Sequence, residues 1–150
     1  VEYIKGQHRH ADKPWYQWLC YGAVHRPFTP APRHADLFDD LEIPEPATFN
    51  DEYATRPIAE AAEDMRFEIS IAGDYDDIPA DLDPQARKKW IYQRFMKDRC
   101  RNIAGVDENL GRVLDFLDDH DLAENTLILY TSDHGYFLGE HGWYDKRWMY

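Results

Sequence analysis

Near the end of the chain, a few residues have the types and spacing to handle a cation and an anion together. Ser132-Asp133-His134-Gly135 sets a carboxylate beside an imidazole. Adjacent Asp and His side chains can reach one divalent cation if the backbone turns sharply, and Gly135 supplies freedom for that turn. A hard ion such as Ca²⁺ or Mg²⁺ takes oxygen ligands, while an imidazole ligand leans toward Mn²⁺ or Zn²⁺. The competing structural reading is a loop in which Asp133 caps the next turn and His134 bonds to backbone. Gly139-Glu140-His141-Gly142 and then Lys146 come next. A lysine ammonium is a point charge able to neutralise a sulfate or phosphate oxygen, and its structural alternative is a solvated surface lysine. His25 closes an earlier apolar run. From a strand end it could donate to an oxyanion or protonate a leaving-group oxygen as a general acid, or it could be an ordinary polar strand-end residue.

Two apolar runs must position these groups. Residues 15–24 are nearly all apolar or aromatic, and residues 126–131 read Thr-Leu-Ile-Leu-Tyr-Thr. Runs of this kind suit strands covered on both faces, as in a parallel sheet. The first ends at His25-Arg26-Pro27, and Pro30 and Pro32 take the chain out of the sheet. Residues 33–57, rich in proline and acid, read as a long surface excursion. A short helix is expected within 58–67 and an acidic loop over 73–80. A long helix should start at Asp83 as N-cap with Pro84 in its first turn, and end near Asp119-His120. Its apolar face should carry Ile91, Phe95, Ile103, Val106, Leu110, Val113, Leu114 and Leu117. Strand, long connection, helix, strand is an α/β pattern with parallel pairing. In such sheets ligands collect at the carboxyl ends of the strands, where Asp133 and His134 fall. Two strands do not make a stable parallel sheet, so the rest of the sheet is expected from residues beyond these.

The 150 residues suffice for one modest core, and 43% of them are apolar. A formal net charge of −12 argues against nucleic acid and anionic membrane surfaces as partners. No apolar run is long enough to span a bilayer. Cys20 and Cys100 make no disulfide framework and read as buried free thiols.

Taken in order, these segments resemble the type I sulfatases of the alkaline phosphatase superfamily. The resemblance rests on residues 126–135 with Leu138-Gly139-Glu140-His141-Gly142 and Lys146, on the helical stretch 105–117, and on the His-x-Pro segment 23–32. Residues 25–46 look closest to glycan-directed members, including iduronate and glucosamine sulfatases. The resemblance implies a partial alkaline-phosphatase-like sandwich with a mostly parallel central sheet, incomplete over residues 1–150. It implies that Asp133 and His134 ligate a divalent cation, most often Ca²⁺, with Mg²⁺ or Mn²⁺ as alternatives. Lys146 and His25 would contact the sulfate, and His141 would line the substrate pocket, with Arg26, Trp143 and Tyr144 as neighbours. The substrate would be a small-molecule or glycan sulfate ester, and the compartment periplasmic, secreted or lysosome-like.

The family's nucleophile is a formylglycine made from Cys or Ser in a Cys/Ser-x-Pro-x-Arg motif, which none of the Cys or Ser residues here satisfies. The resemblance therefore implies a catalytic-domain fragment without its N-terminal nucleophile segment and C-terminal subdomain. The alternatives are a phosphonate or phosphate ester hydrolase of the same superfamily and a non-catalytic fragment. These 150 residues alone are expected to release no sulfate from a model aryl sulfate, and measurable release would overturn the fragment reading.

Overall fold

The computed structural model describes residues 1–6 and 13–148. Its dominant element is α3, Pro84–Asp119, which comes after two short helices, α1 (Glu2–Lys5) and α2 (Pro57–Glu60). At ~1.5 Å per residue α3 is about 54 Å long. It begins as the sequence dictates: the Asp83 carboxylate accepts from the Ala86 N–H at 2.9 Å, satisfying an otherwise orphaned donor, and Pro84 occupies the first turn. It ends at His120.

The buried face of α3 is shorter than its apolar period suggests. Ile91, Tyr92 and Phe95 are fully covered, and so are Phe116 and Leu117 near the C-terminus. Ile103 in the middle is exposed, and Val106, Leu110, Val113 and Leu114 are only half-buried. What covers the first half is an aromatic cluster. Phe95 meets Phe28 edge-on at 5.1 Å and Phe67 at 5.2 Å, and Tyr144 closes the group at 5.8 Å from Phe67. Such edge-to-face pairs add to the area they bury. A second, smaller cluster stacks Tyr53 on Trp143 at 5.9 Å, beside Met65 and Ala62.

Part of this core comes from a segment that reads as surface. Phe49 and Tyr53 lie within the 33–57 excursion yet are buried, and Phe67 comes just after the short helical turns of 57–65. The excursion is fixed to α3 by charge. Asp98 and Arg101, both buried, bond each other at 2.7 Å, and Arg101 also donates to the Leu37 carbonyl and to Asp39. Paired and hydrogen-bonded, these charges tolerate burial.

The only sheet among the described residues is a hairpin of β1 (Phe137–Leu138) and β2 (Tyr144–Asp145), antiparallel with Phe137 opposite Asp145. Its tip needs left-handed backbone at Gly139, His141 and Gly142. A Cβ at Gly139 would meet Tyr92 at 2.7 Å, and one at Gly142 would meet the Phe49 carbonyl oxygen at 2.8 Å, so both are confined to glycine.

The parallel sheet is where the structure departs from expectation. Residues 15–22 and 126–131 form no secondary structure and have no ladder partner among the described residues, residues 23–24 turn, and both runs lie largely open. Leu127 is 86% exposed, Leu129 83% and Trp18 73%. An apolar extended segment becomes a strand only when neighbours satisfy its N–H and C=O groups, and nothing described here does so. Cys20 is exposed for the same reason, while Cys100 is half-buried, and both thiols are free. No helix among the described residues is long and apolar enough to cross a membrane.

Tyr144 joins the elements, because its hydroxyl accepts from Arg26 at 3.2 Å and shares a 2.6 Å hydrogen bond with Ser70. Tyr144→Phe should leave both partners short of a bond and cost about 1–3 kcal/mol, measured by urea unfolding of the full-length protein. An unchanged midpoint would contradict this joint.

Candidate active site

The predicted site residues lie on three segments, and each is tethered close to its functional end. His25 precedes Arg26, which holds the Tyr144 hydroxyl and pairs with Asp74. The Asp74 bond raises the Arg26 guanidinium above its ordinary pKa, against the opposing effect of burial. His134 precedes Tyr136, whose ring stacks on Phe95 at 6.3 Å and lies under the Arg99 guanidinium at 4.0 Å. Burial pushes the Tyr136 hydroxyl up to about 12. Lys146 comes directly after the buried pair Tyr144 and Asp145. The Phe95 cluster thus anchors all three segments.

The side chains point outward from these tethers. Asp133, His134, His25 and Lys146 are all exposed. The His134 Nδ1–H donates to the Gly135 carbonyl at 2.8 Å, which leaves Nε2 its lone pair. That Nε2 lies 3.4 Å from the Asp133 carboxylate. Two ligand atoms at right angles, each about 2.4 Å from an ion, are about 3.4 Å apart. The pair therefore has the donor chemistry and separation of two neighbouring ligands. Among the described residues no cluster of three or more ligating side chains accompanies it. Gly135 does not provide a left-handed turn; in this region Gly139 and Gly142 do.

His25 resembles His134 in its bonding. Its Nδ1–H donates to the Arg26 carbonyl at 2.9 Å, so Nε2 faces away from that bond. Lys146 begins a turn in which its N–H donates to the Asp145 carboxylate at 2.9 Å. Asp145 is buried and its other oxygen lies 3.1 Å from Arg147 Nε. Trp143 and Tyr144, neighbours of the site by sequence, are core residues and face no open surface.

His141 sits at the hairpin tip, beside an open cleft of about 550 Å³ lined by Glu45, Thr48, Asn50, Asp51 and Arg56. Its Nδ1–H donates to Asp51 at 2.6 Å, its backbone N–H to the Thr48 hydroxyl at 3.1 Å, and its carbonyl accepts from the Tyr53 hydroxyl. Asp51 was not legible as a site residue, since its partner lies 90 positions away. The Tyr53 N–H and then His141 hold the Asp51 carboxyl down to about 2.

His25, Asp133-His134 and Lys146 thus stand exposed on segments that adjoin one aromatic core. The family model described as Sulfatase matches residues 1–148, and the chain belongs to the sulfatase family. It is 33% identical to N-acetylglucosamine-6-O-sulfatase of Bacteroides thetaiotaomicron over 96% of this chain and 33% of that protein. It is 36% identical to human iduronate 2-sulfatase over 52% of this chain and 12% of that protein. Its backbone matches, with a TM-score of 0.77 and 35% identity, a solved structure in complex with its substrate D-glucosamine-2-N,6-O-disulfate; the match covers 85% of this chain and 34% of that one. The chain thus spans about a third or less of the length of these relatives. That likeness places the chain in an alkaline-phosphatase-like α/β fold.

The Asp51 carboxylate stabilises the hairpin tip in its ionised form. Its stabilising effect is complete above its ordinary value of 3.8 and is lost as pH falls through about 2. Protection factors of the hairpin-tip amides, with the acid dependence of intrinsic exchange divided out, should therefore fall between pH 4 and pH 2, the window those two values bound. The Asp51→Asn protein should lack this step. A tip equally protected across that range in the wild type would contradict the assignment.

Proposed function

We propose that the full-length protein hydrolyses sulfate esters on a sulfated carbohydrate, and that these residues contribute the cation- and sulfate-binding half of its active site. The observation that carries this is the tethering of three segments, ending in His25, in Asp133-His134 and in Lys146, to one rigid cluster, combined with membership of the sulfatase family. The glycan preference draws on relatives named for glucosamine and iduronate sulfates.

In this reading Asp133 and His134 supply two ligands to a divalent cation, Ca²⁺ by family likeness with Mg²⁺ or Mn²⁺ as alternatives. The donor separation and the lone pair left on His134 Nε2 support it. When bound, such an ion polarises the sulfate and lowers the cost of developing charge. The Lys146 ammonium neutralises sulfate oxygens as charge builds on them. His25 Nε2 holds or delivers a proton at the leaving-group oxygen, its other nitrogen being committed to the Arg26 carbonyl. His141 lines the cleft that accepts the rest of the sugar, whose hydroxyls suit its polar walls. The formylglycine nucleophile comes from a segment outside these 150 residues. We place residues 15–24 and 126–131 as strands of a mostly parallel central sheet completed by the same outside portion, which gives cover to the apolar side chains that lie open here.

Lys146→Ala in the full-length protein should lower kcat by about 10²–10³, the usual effect of losing one oxyanion-stabilising group. Asp133→Ala and His134→Ala should each lower bound divalent metal, read by mass spectrometry on the purified protein. Sulfate release from 6-O-sulfated N-acetylglucosamine is the activity assay. A Lys146→Ala rate equal to the wild type, or full metal content in both ligand variants, would refute these roles.

A further inference from the structure

We propose that Arg99, backed by Tyr136, recognises a second anionic substituent of the substrate, a carboxylate or sulfate lying beside the sulfate that is cleaved. The inference rests on the sulfate-ester reading above and extends it to specificity. Arg99 lies on α3, and its Nη1 reaches toward the carbonyl of Val24, the residue before His25, at 3.5 Å. Its guanidinium lies over the ring of Tyr136, two residues after His134, at 4.0 Å from the centroid. The group is thus bracketed by the two segments that carry the proposed proton-transfer and cation-binding residues.

No carboxylate among the described residues pairs with it. Among the described residues Arg26, Arg33, Arg56, Arg94, Arg101 and Arg147 have acidic partners, whereas Arg66, Arg87, Arg99 and Arg112 donate to carbonyl or amide oxygens. Of these four, Arg99 is the one that contacts both the Val24 carbonyl and the Tyr136 ring. Burial pushes the Arg99 guanidinium below its ordinary pKa, whereas Arg26, Arg94 and Arg147, with their acidic partners, are raised. A half-buried cation without an anion is costly. The guanidinium sits with its carbon over the Tyr136 ring in a cation–π contact. Its N–H edge carries five donors, and the one toward Val24 is the only one with a partner among the described residues. A planar fork with an unoccupied edge matches a carboxylate or sulfate, which offers two or more oxygens to it.

The test compares paired substrates in the full-length protein. One pair is D-glucosamine-2-N,6-O-disulfate and D-glucosamine-6-sulfate, which differ by one sulfate. The other is a 2-O-sulfated uronate and its carboxyl-reduced counterpart, which differ by one carboxylate. In one of these pairs, Arg99→Gln should lower kcat/KM for the doubly anionic member by about tenfold or more and leave the singly anionic member within about threefold. Which pair responds identifies the substituent. Arg99→Lys should restore part of the preference, and it carries the same comparison if Arg99→Gln does not fold. Equal losses on both members, or no change on either, would overturn the proposal. Should neither pair be hydrolysed by the wild type, the sulfate-ester reading itself fails. Arg99 is then judged by calorimetric binding of N-sulfo-D-glucosamine, which has no sulfate ester, and of a uronic acid: weaker binding of either in Arg99→Gln supports it, and unchanged binding of both overturns it.

Discussion

Burial of Tyr144 is the constraint on which the rest of the arrangement depends. Its ring has no exposure, packed against Phe67 and Phe95. A buried hydroxyl must be satisfied, and this one is, by Arg26 and Ser70. Those two bonds connect β2 to segments that are 118 and 74 residues away in sequence. His25, next to Arg26, and Lys146, two residues past Tyr144, therefore cannot drift apart independently. Phe95 extends the same logic to Asp133-His134 through its stack with Tyr136. A site made of exposed side chains on loops needs a rigid base, and here the base is aromatic.

The opposite end of the hairpin shows a second way of fixing a loop. His141 has its ring, its N–H and its carbonyl all engaged by residues 48–53. Its backbone is left-handed, and so are its neighbours Gly139 and Gly142. Backbone in that region persists only where surroundings enforce it. Tyr92, Phe49 and Lys88 crowd the tip closely enough to do so. The hairpin is thus held at the tip by polar contacts and at its base by the aromatic core.

How much of this was legible from sequence depended on the range of the interaction. The limits of α3 were readable because Asp83, Pro84 and the apolar period act within a few residues of one another. Asp133-His134 and Lys146 could be named as candidates because they are close in sequence. Residues 15–24 and 126–131 signalled a need for cover, but an apolar run says nothing about where that cover comes from. Phe49 and Tyr53 were hidden inside an acid- and proline-rich stretch whose local composition points to surface. Asp51 and Arg99 could not be found by local reading at all. Their meaning comes from His141, Val24 and Tyr136, which only the folded chain brings near.

The central claim is that His25, Asp133-His134 and Lys146 act on one sulfate group. A crystal structure of the full-length protein with a sulfated sugar tests it directly. The expected result is one sulfate touched by Lys146 Nζ and His25 Nε2, with a single cation between Asp133 and His134 on its other side. A sulfate bound away from Lys146 and His25, or a cation held by neither Asp133 nor His134, would contradict it.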